Sequence, residues 1–215
     1  MSDVVSFSLV SLSAVFVVVD PIAAVPFFLS LTAGEDPLRK ARTARRAALA
    51  AYFVLTFFAL AGAIVFKLLG ITLAAFKMAG GVLLLITAID MLRSRAPESR
   101  ITASEVQAPR EDVAIVPLAM PLLAGPGSVA TVVVLMGRAR AGERWWQVVP
   151  VLASIAITAA AAYVFFRFAT QIDRMLGRTG LSILERVAGL LLAAIAFQFL
   201  IDGTADFLPG ILRRV

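Results

Sequence analysis

Read from the amino end, the chain presents six apolar blocks, at about 4–31, 46–66, 74–92, 113–136, 146–168 and 184–208, with polar or basic residues between them. A helix rises about 1.5 Å per residue and the hydrocarbon of a bilayer is about 30 Å thick, so each block predicts a membrane-spanning helix. Two blocks carry a helix-start signal in their interior. In the first, Asp20 can accept from the next N–H groups, and Pro21 suits the first helical position, with Pro26 beyond. That run is also too long for one straight crossing, which predicts two half-helices meeting inside the bilayer. In the fourth block, Pro117, Pro121 and the stretch Ala124-Gly125-Pro126-Gly127-Ser128 interrupt the span in the same way. Broken spans in corresponding positions of two halves point to a transporter's substrate site.

The connections punctuate this pattern. Residues 32–46 are polar and basic and hold a second start signal, Asp36-Pro37. A short turn at 67–72 leads to the third span, which carries Gly80-Gly81. Residues 93–112, with two prolines, mixed charge and few large apolar side chains, read as a cytoplasmic linker. Trp145-Trp146 suit interfacial anchors, and a polar turn through Gly180 precedes the sixth span. The chain thus divides into a three-helix repeat at 1–92, the linker, and a second three-helix repeat at 113–215, in one membrane domain. Laying Asp20-Pro21 on Gly125-Pro126, and Lys77-Met78-Ala79-Gly80 on Arg186-Val187-Ala188-Gly189, matches the first and third spans of the two halves. Three spans is an odd number, so the second half must enter from the opposite face, as an inverted-topology repeat.

Composition narrows the class. Of 215 residues, 60% are hydrophobic and only 16% charged, and the mean hydropathy is +0.94, which a soluble domain does not reach. A net charge of +6 and a pI near 10.7 would suit nucleic acid. The basic residues, however, cluster between spans, where membrane topology accounts for them, and no soluble domain remains to bind nucleic acid. The connections after the first, third and fifth spans hold thirteen of the 20 Lys and Arg. That excess predicts those loops in the cytoplasm and both termini in the periplasm of a bacterial inner membrane. No basic residue precedes the first apolar run, so it reads as a retained span rather than a cleaved signal.

Several chemistries are excluded outright. The chain has no Cys and no His, which removes disulfides, thiolate–metal sites, the HExxH motif and His-based triads. No nucleophile–base pair or metal-ligand cluster is visible, and an enzyme is not expected. No GxxxxGK[ST] loop is present, so energy for transport would come from a gradient unless a partner subunit supplies it.

The individual residues carry two readings each. Asp20 at membrane depth is costly, by at least ~2.5 kcal/mol on insertion scales, and so needs a reason. It caps the second half-helix, or meets a substrate ammonium, a proton or Na⁺, and the two roles are compatible. At Gly125, Gly127, Ser128 and Val129 the glycines admit a ligand close to backbone, and the following half-helix offers N–H groups and partial positive charge to a carboxylate. The alternative is a plain kink in a packed helix. Gly80, Gly81 and Gly189 suit tight helix packing. Gln198 and Asp202 share a face of the sixth span, lining a polar path or, for Asp202, sitting at the outer interface. Thr131 joins that path or, like Thr87, bonds back to its own helix. Arg39, Arg42 and Arg46 form a basic stripe facing anionic lipid.

At these residues the sequence resembles the MarC family of bacterial inner-membrane proteins, which includes the SnatA neutral amino-acid transporters. The family's first signature, roughly D-P-[IV]-G-N-[IV]-P, stands here as Asp20-Pro21-Ile22-Ala23-Ala24-Val25-Pro26. A second stands at 117–128 as PLAMPLLAGPGS. A third stands at 186–199 as RVAGLLLAAIAFQF, followed by Asp202-Gly203. The one departure is Ala23-Ala24 for the family's Gly-Asn, which removes an amide contact and narrows the approach to backbone. The resemblance implies transport of small neutral amino acids of the glycine, alanine and serine class, and kinship with LysE-type exporters.

Together these observations predict an all-α integral membrane protein with six transmembrane helices in two inverted three-helix repeats, helices 1 and 4 broken at mid-membrane. The expected function is secondary transport of a small neutral amino acid, inward or outward, by alternating access. The alternative is a LysE-type exporter of another small metabolite or ion. The expected binding residues are Asp20, Ile22, Ala23, Ala24, Gly125, Gly127, Ser128 and Val129. No cofactor is expected beyond a coupling ion, H⁺ or Na⁺, and no partner beyond substrate and membrane lipid. The oligomeric state is left open.

Overall fold

The computed structural model describes residues 2–93, 114–141 and 145–212. The expected linker lies outside them, except for Arg93, which ends a helix. Among the described residues all regular structure is helical: α1 (Ser2–Val19), α2 (Ala24–Leu31), α3 (Pro37–Leu68), α4 (Leu73–Leu92), a π-helix (Ala114–Leu123), α5 (Pro126–Ala141), a 3₁₀ turn (Trp145–Gln147), α6 (Val148–Arg167) and α7 (Ala169–Leu212). α3, α4, α6 and the Arg186–Phe207 part of α7 are long and apolar enough to cross a membrane. Where the other two spans are expected, the structure has pairs of shorter helices, α1 with α2 and the π-helix with α5.

Two boundaries differ from the sequence pattern, each for a local reason. The basic stretch before residue 46 is helical, because Asp36 caps α3 by accepting from the N–H groups of Leu38 and Arg39, both at 2.9 Å, with Pro37 in the first turn. The N–H of Arg39, then that of Leu38, holds the Asp36 carboxyl below its ordinary value of 3.8. At 32 residues, α3 extends about 48 Å, so it outruns the hydrocarbon and carries its basic first turns beyond it. In α7 the interruption falls at Gly177 rather than at Gly180. Gly177 adopts φ 61° and ψ 178°, a conformation open to glycine and to little else.

The interior face of α3 is built mostly of small side chains, and large ones are exposed. Along α3, Ala44, Ala47, Ala51, Ala59 and Gly62 face the interior, while Phe53, Phe57, Leu60 and Ile64 are exposed. Lipid tails are as apolar as leucine, so a large side chain loses nothing by facing them, and small ones let backbones approach. The seam between α4 and α7 shows this best. A Cβ on Gly81 would lie 2.9 Å from the carbonyl oxygen of Ala196, and one on Gly189 would lie 2.9 Å from the Cβ of Met91. Gly203 in turn meets Ala74, Lys77 and Met78, so the two helices run in opposite directions.

Candidate helix-break site

Both expected breaks are real discontinuities, and each places a proline just after a cap residue. α1 closes with the Asp20 N–H donating to Phe16 O at 2.9 Å. Asp20 then turns left-handed, at φ 46°, a conformation that Asp and Asn tolerate better than most side chains. Its carboxylate Oδ1 accepts from Ala23 N at 3.2 Å, and its carbonyl accepts from Ala24 N at 3.3 Å. One residue therefore ends α1 and starts the next turn toward α2.

The second break has no such side chain. Pro117 and Pro121 lack N–H donors, and the segment around them winds as a π-helix that closes with Ala124 N donating to Ala119 O at 2.8 Å. Gly125 stands in the cap position, its carbonyl accepting from Val129 N at 3.0 Å, and Pro126 occupies the first turn of α5. Among the described residues no acceptor is placed on the N–H groups of Gly127 and Ser128.

Tertiary packing brings the breaks together. A Cβ on Gly127 would lie 2.1 Å from Leu84 Cδ2 and 3.7 Å from Val18 Cγ1, so only a glycine lets α4 and the end of α1 close on the start of α5. Val19, Ala24 and Val25 of the first break share one buried core with Ala124 and Val129 of the second. α1 packs along α5, and α2 packs beside the π-helix. α2 is fixed further by Phe28, whose ring stacks on Phe166 of α6 at 4.7 Å. Two helix amino ends, carrying partial positive charge, and two carboxyl ends, carrying partial negative charge, thus converge in one apolar core.

The expected site residues fall into two groups. Ala24, Gly125, Gly127, Ser128 and Val129 are buried, and Asp20, Ile22 and Ala23 are partly so. Three expected donors, the N–H groups of Ala23, Ala24 and Val129, are already engaged within the breaks. Thr131 lies in the same core, and its hydroxyl donates to Gly127 O at 2.9 Å; Thr87 bonds back to Leu83 O in the same manner. Beside the second break, an apolar cavity of about 360 Å³ reaches Ala124 and Val129 from Phe58, Phe66, Phe76 and Gly80, and no residue of the first break lines it.

Gln198 and Asp202 stand apart from the breaks, in a polar cluster. Gln198 Nε2 donates to Asp202 Oδ1 at 2.7 Å, and Arg138 of α5 pairs with the other oxygen of Asp202. Lys77 of α4, its side chain only 8% exposed, pairs with Asp206 of α7 at 2.5 Å. These contacts tie α4, α5 and α7 together near the carboxyl end of α7. The pairing of Lys77 went unnoticed in the sequence, although a lone lysine inside an apolar span is itself a signal for a buried partner. Leu84 had no signal at all, being one leucine in a run of apolar residues.

The fold defines a class: an all-helical integral membrane protein in which two interrupted helices meet at their broken ends. Within that class, the chain belongs to the MarC family of integral membrane proteins, whose family model matches residues 5–208. A UPF0056 membrane protein of Aquifex aeolicus is 37% identical over 193 residues, covering 89% of each chain. One from Methanocaldococcus jannaschii is 36% identical over 92% of this chain and 95% of its own. The UPF0056 membrane protein YhcE of Escherichia coli is 30% identical over 92% of both. No solved structure matches.

Proposed function

We propose that the protein is a secondary transporter of a small neutral amino acid, working by alternating access in a six-span fold of two inverted repeats. It is not an enzyme in this reading, and it sits in the inner membrane with both termini outside. The observation that carries the reading is the convergence of four helix ends in one core. The N–H groups of Gly127 and Ser128, at the positive end of α5, suit a carboxylate. The carbonyl ends of α1 and the π-helix, with Asp20, suit an ammonium or a coupling H⁺ or Na⁺. A zwitterion satisfies both sets at once, whereas a simple anion or cation satisfies one. The apolar cavity beside Ala124 and Val129 offers room for the cargo's side chain.

Alternating access would require the polar cluster to part, since Lys77–Asp206 and Arg138–Asp202 hold α4 and α5 against α7. Proteoliposomes holding the purified chain test the reading directly. Labelled glycine, alanine or serine should accumulate under an imposed proton or sodium gradient, and unlabelled substrate should compete. Failure of all three to move under either gradient, in either direction, overturns it.

A further inference from the structure

A second cavity lies between α3 and α6, away from the helix breaks. It encloses about 320 Å³ and is lined by Arg45, Ala48 and Tyr52 of α3 and by Ala156, Ala160 and Tyr163 of α6. Its walls are almost wholly carbon, so Arg45 contributes its alkyl stem and the tyrosines their ring faces. The position of Arg45 is telling. With Arg46 it closes the basic opening turns of α3, just before the apolar run that begins at Ala47, and therefore marks the headgroup level. From there to Tyr52 the crevice descends about 10 Å along the helix, into hydrocarbon.

The charged side chains that α3 and α6 carry at that end are all basic. Arg42 lies one turn before Arg45, and Arg167 lies one turn beyond Tyr163 at the end of α6. The nearest carboxylate along α3, Asp36, is occupied with its helix cap and with Arg39. Among the described residues, Arg42, Arg45 and Arg167 form no ion pair, and neither tyrosine hydroxyl forms a hydrogen bond. Hydrocarbon supplies no acceptor to a phenol, and an unpaired guanidinium at the interface attracts a negative headgroup.

We propose that this crevice binds one anionic glycerophospholipid, with an acyl chain against the alanines and the phosphate at Arg45. Any lipid tail would fill the apolar part; the headgroup selects, and a net negative one matches the arginines where a zwitterionic one does not. The purified full-length protein, stripped of lipid in a neutral detergent, is titrated with phosphatidylglycerol and with phosphatidylcholine of the same acyl chains. Native mass spectrometry counts bound lipid, and the melting temperature is followed in parallel. Phosphatidylglycerol binds first and more tightly. Arg45→Ala weakens it about fivefold while leaving phosphatidylcholine unchanged, the loss of one cation near a charged surface, and Arg45→Lys retains most of the preference. Ala160→Leu, at an exposed position that tolerates a larger side chain, fills the crevice and weakens both lipids. Inorganic phosphate alone does not move the melting temperature. Equal binding of the two lipids by the unaltered protein, a preference that survives Arg45→Ala, undiminished binding by Ala160→Leu, or a phosphate shift as large as the lipid's would each overturn the proposal.

Discussion

At the first helix break, a carboxylate closes the backbone: Asp20 turns left-handed and accepts from Ala23 with its own side chain. At the second, the cap position is a glycine, and the closure comes from outside, from Leu84 of α4 and Val18 of α1 packed on Gly127. The arms differ too. The first break follows 18 helical residues and precedes 8, whereas the second follows 10 and precedes 16. The long arms α1 and α5 pack together, as do the short ones, so the two breaks come side by side although they do not divide their helices alike. One break is therefore self-contained and the other depends on its neighbours. A self-capped turn can survive a movement of the surrounding helices; a turn closed by packing changes when they move.

That contrast makes testable claims, the largest at Leu84. Leu84→Ala removes a side chain that is 3% exposed and rests on the second break, and should lower stability by about 2–5 kcal/mol in reversible unfolding of the detergent-solubilised protein. Asp20→Ala loses the cap and forces alanine into a left-handed conformation, together about 2–3 kcal/mol. Asp20→Gly, which accepts that conformation and is a fair cap residue, should cost only a few tenths by the same measurement. If the two Asp20 variants proved equally unstable, the first break would not be self-contained in the way its geometry states.

Gly127→Ala pushes a methyl group against Leu84 and should cost about 1–3 kcal/mol. Combined with Leu84→Ala, its cost should fall by at least ~0.5 kcal/mol below additivity, since the space it needs has been vacated. Strict additivity would mean that the second break does not rest on α4. The smallest structural effect is expected for Asp20→Asn, within about 0.5 kcal/mol, because asparagine caps helices and accepts positive φ as aspartate does. In proteoliposomes, that same variant should lose gradient dependence if the Asp20 charge couples a cation; unchanged dependence would leave Asp20 as a cap alone.

Much of this architecture was legible in the residues. Asp20-Pro21 and Gly125-Pro126 announced the breaks because a capping group before a proline has one local meaning, wherever the chain later goes. Asp36-Pro37 carried the same message for α3, although its basic residues suggested a loop; the signal from the cap was the better guide. Gly177, rather than Gly180, interrupts α7; two glycines so close in a polar stretch are equally able to bend, and the residues alone do not choose between them.

What the residues determined unaided was the all-helical, membrane-type class and the place of the two breaks, since those rest on the length of apolar blocks and on hydrogen bonds within a few positions. Which faces turn inward was decided only by the tertiary structure. In water a buried face differs from an exposed one by polarity, but here lipid and core are alike to an apolar side chain. The meeting of Leu84 with Gly127, the choice of Asp206 as the partner of Lys77 and the crevice beside Arg45 therefore left no trace in hydropathy, and emerged only once the helices were packed.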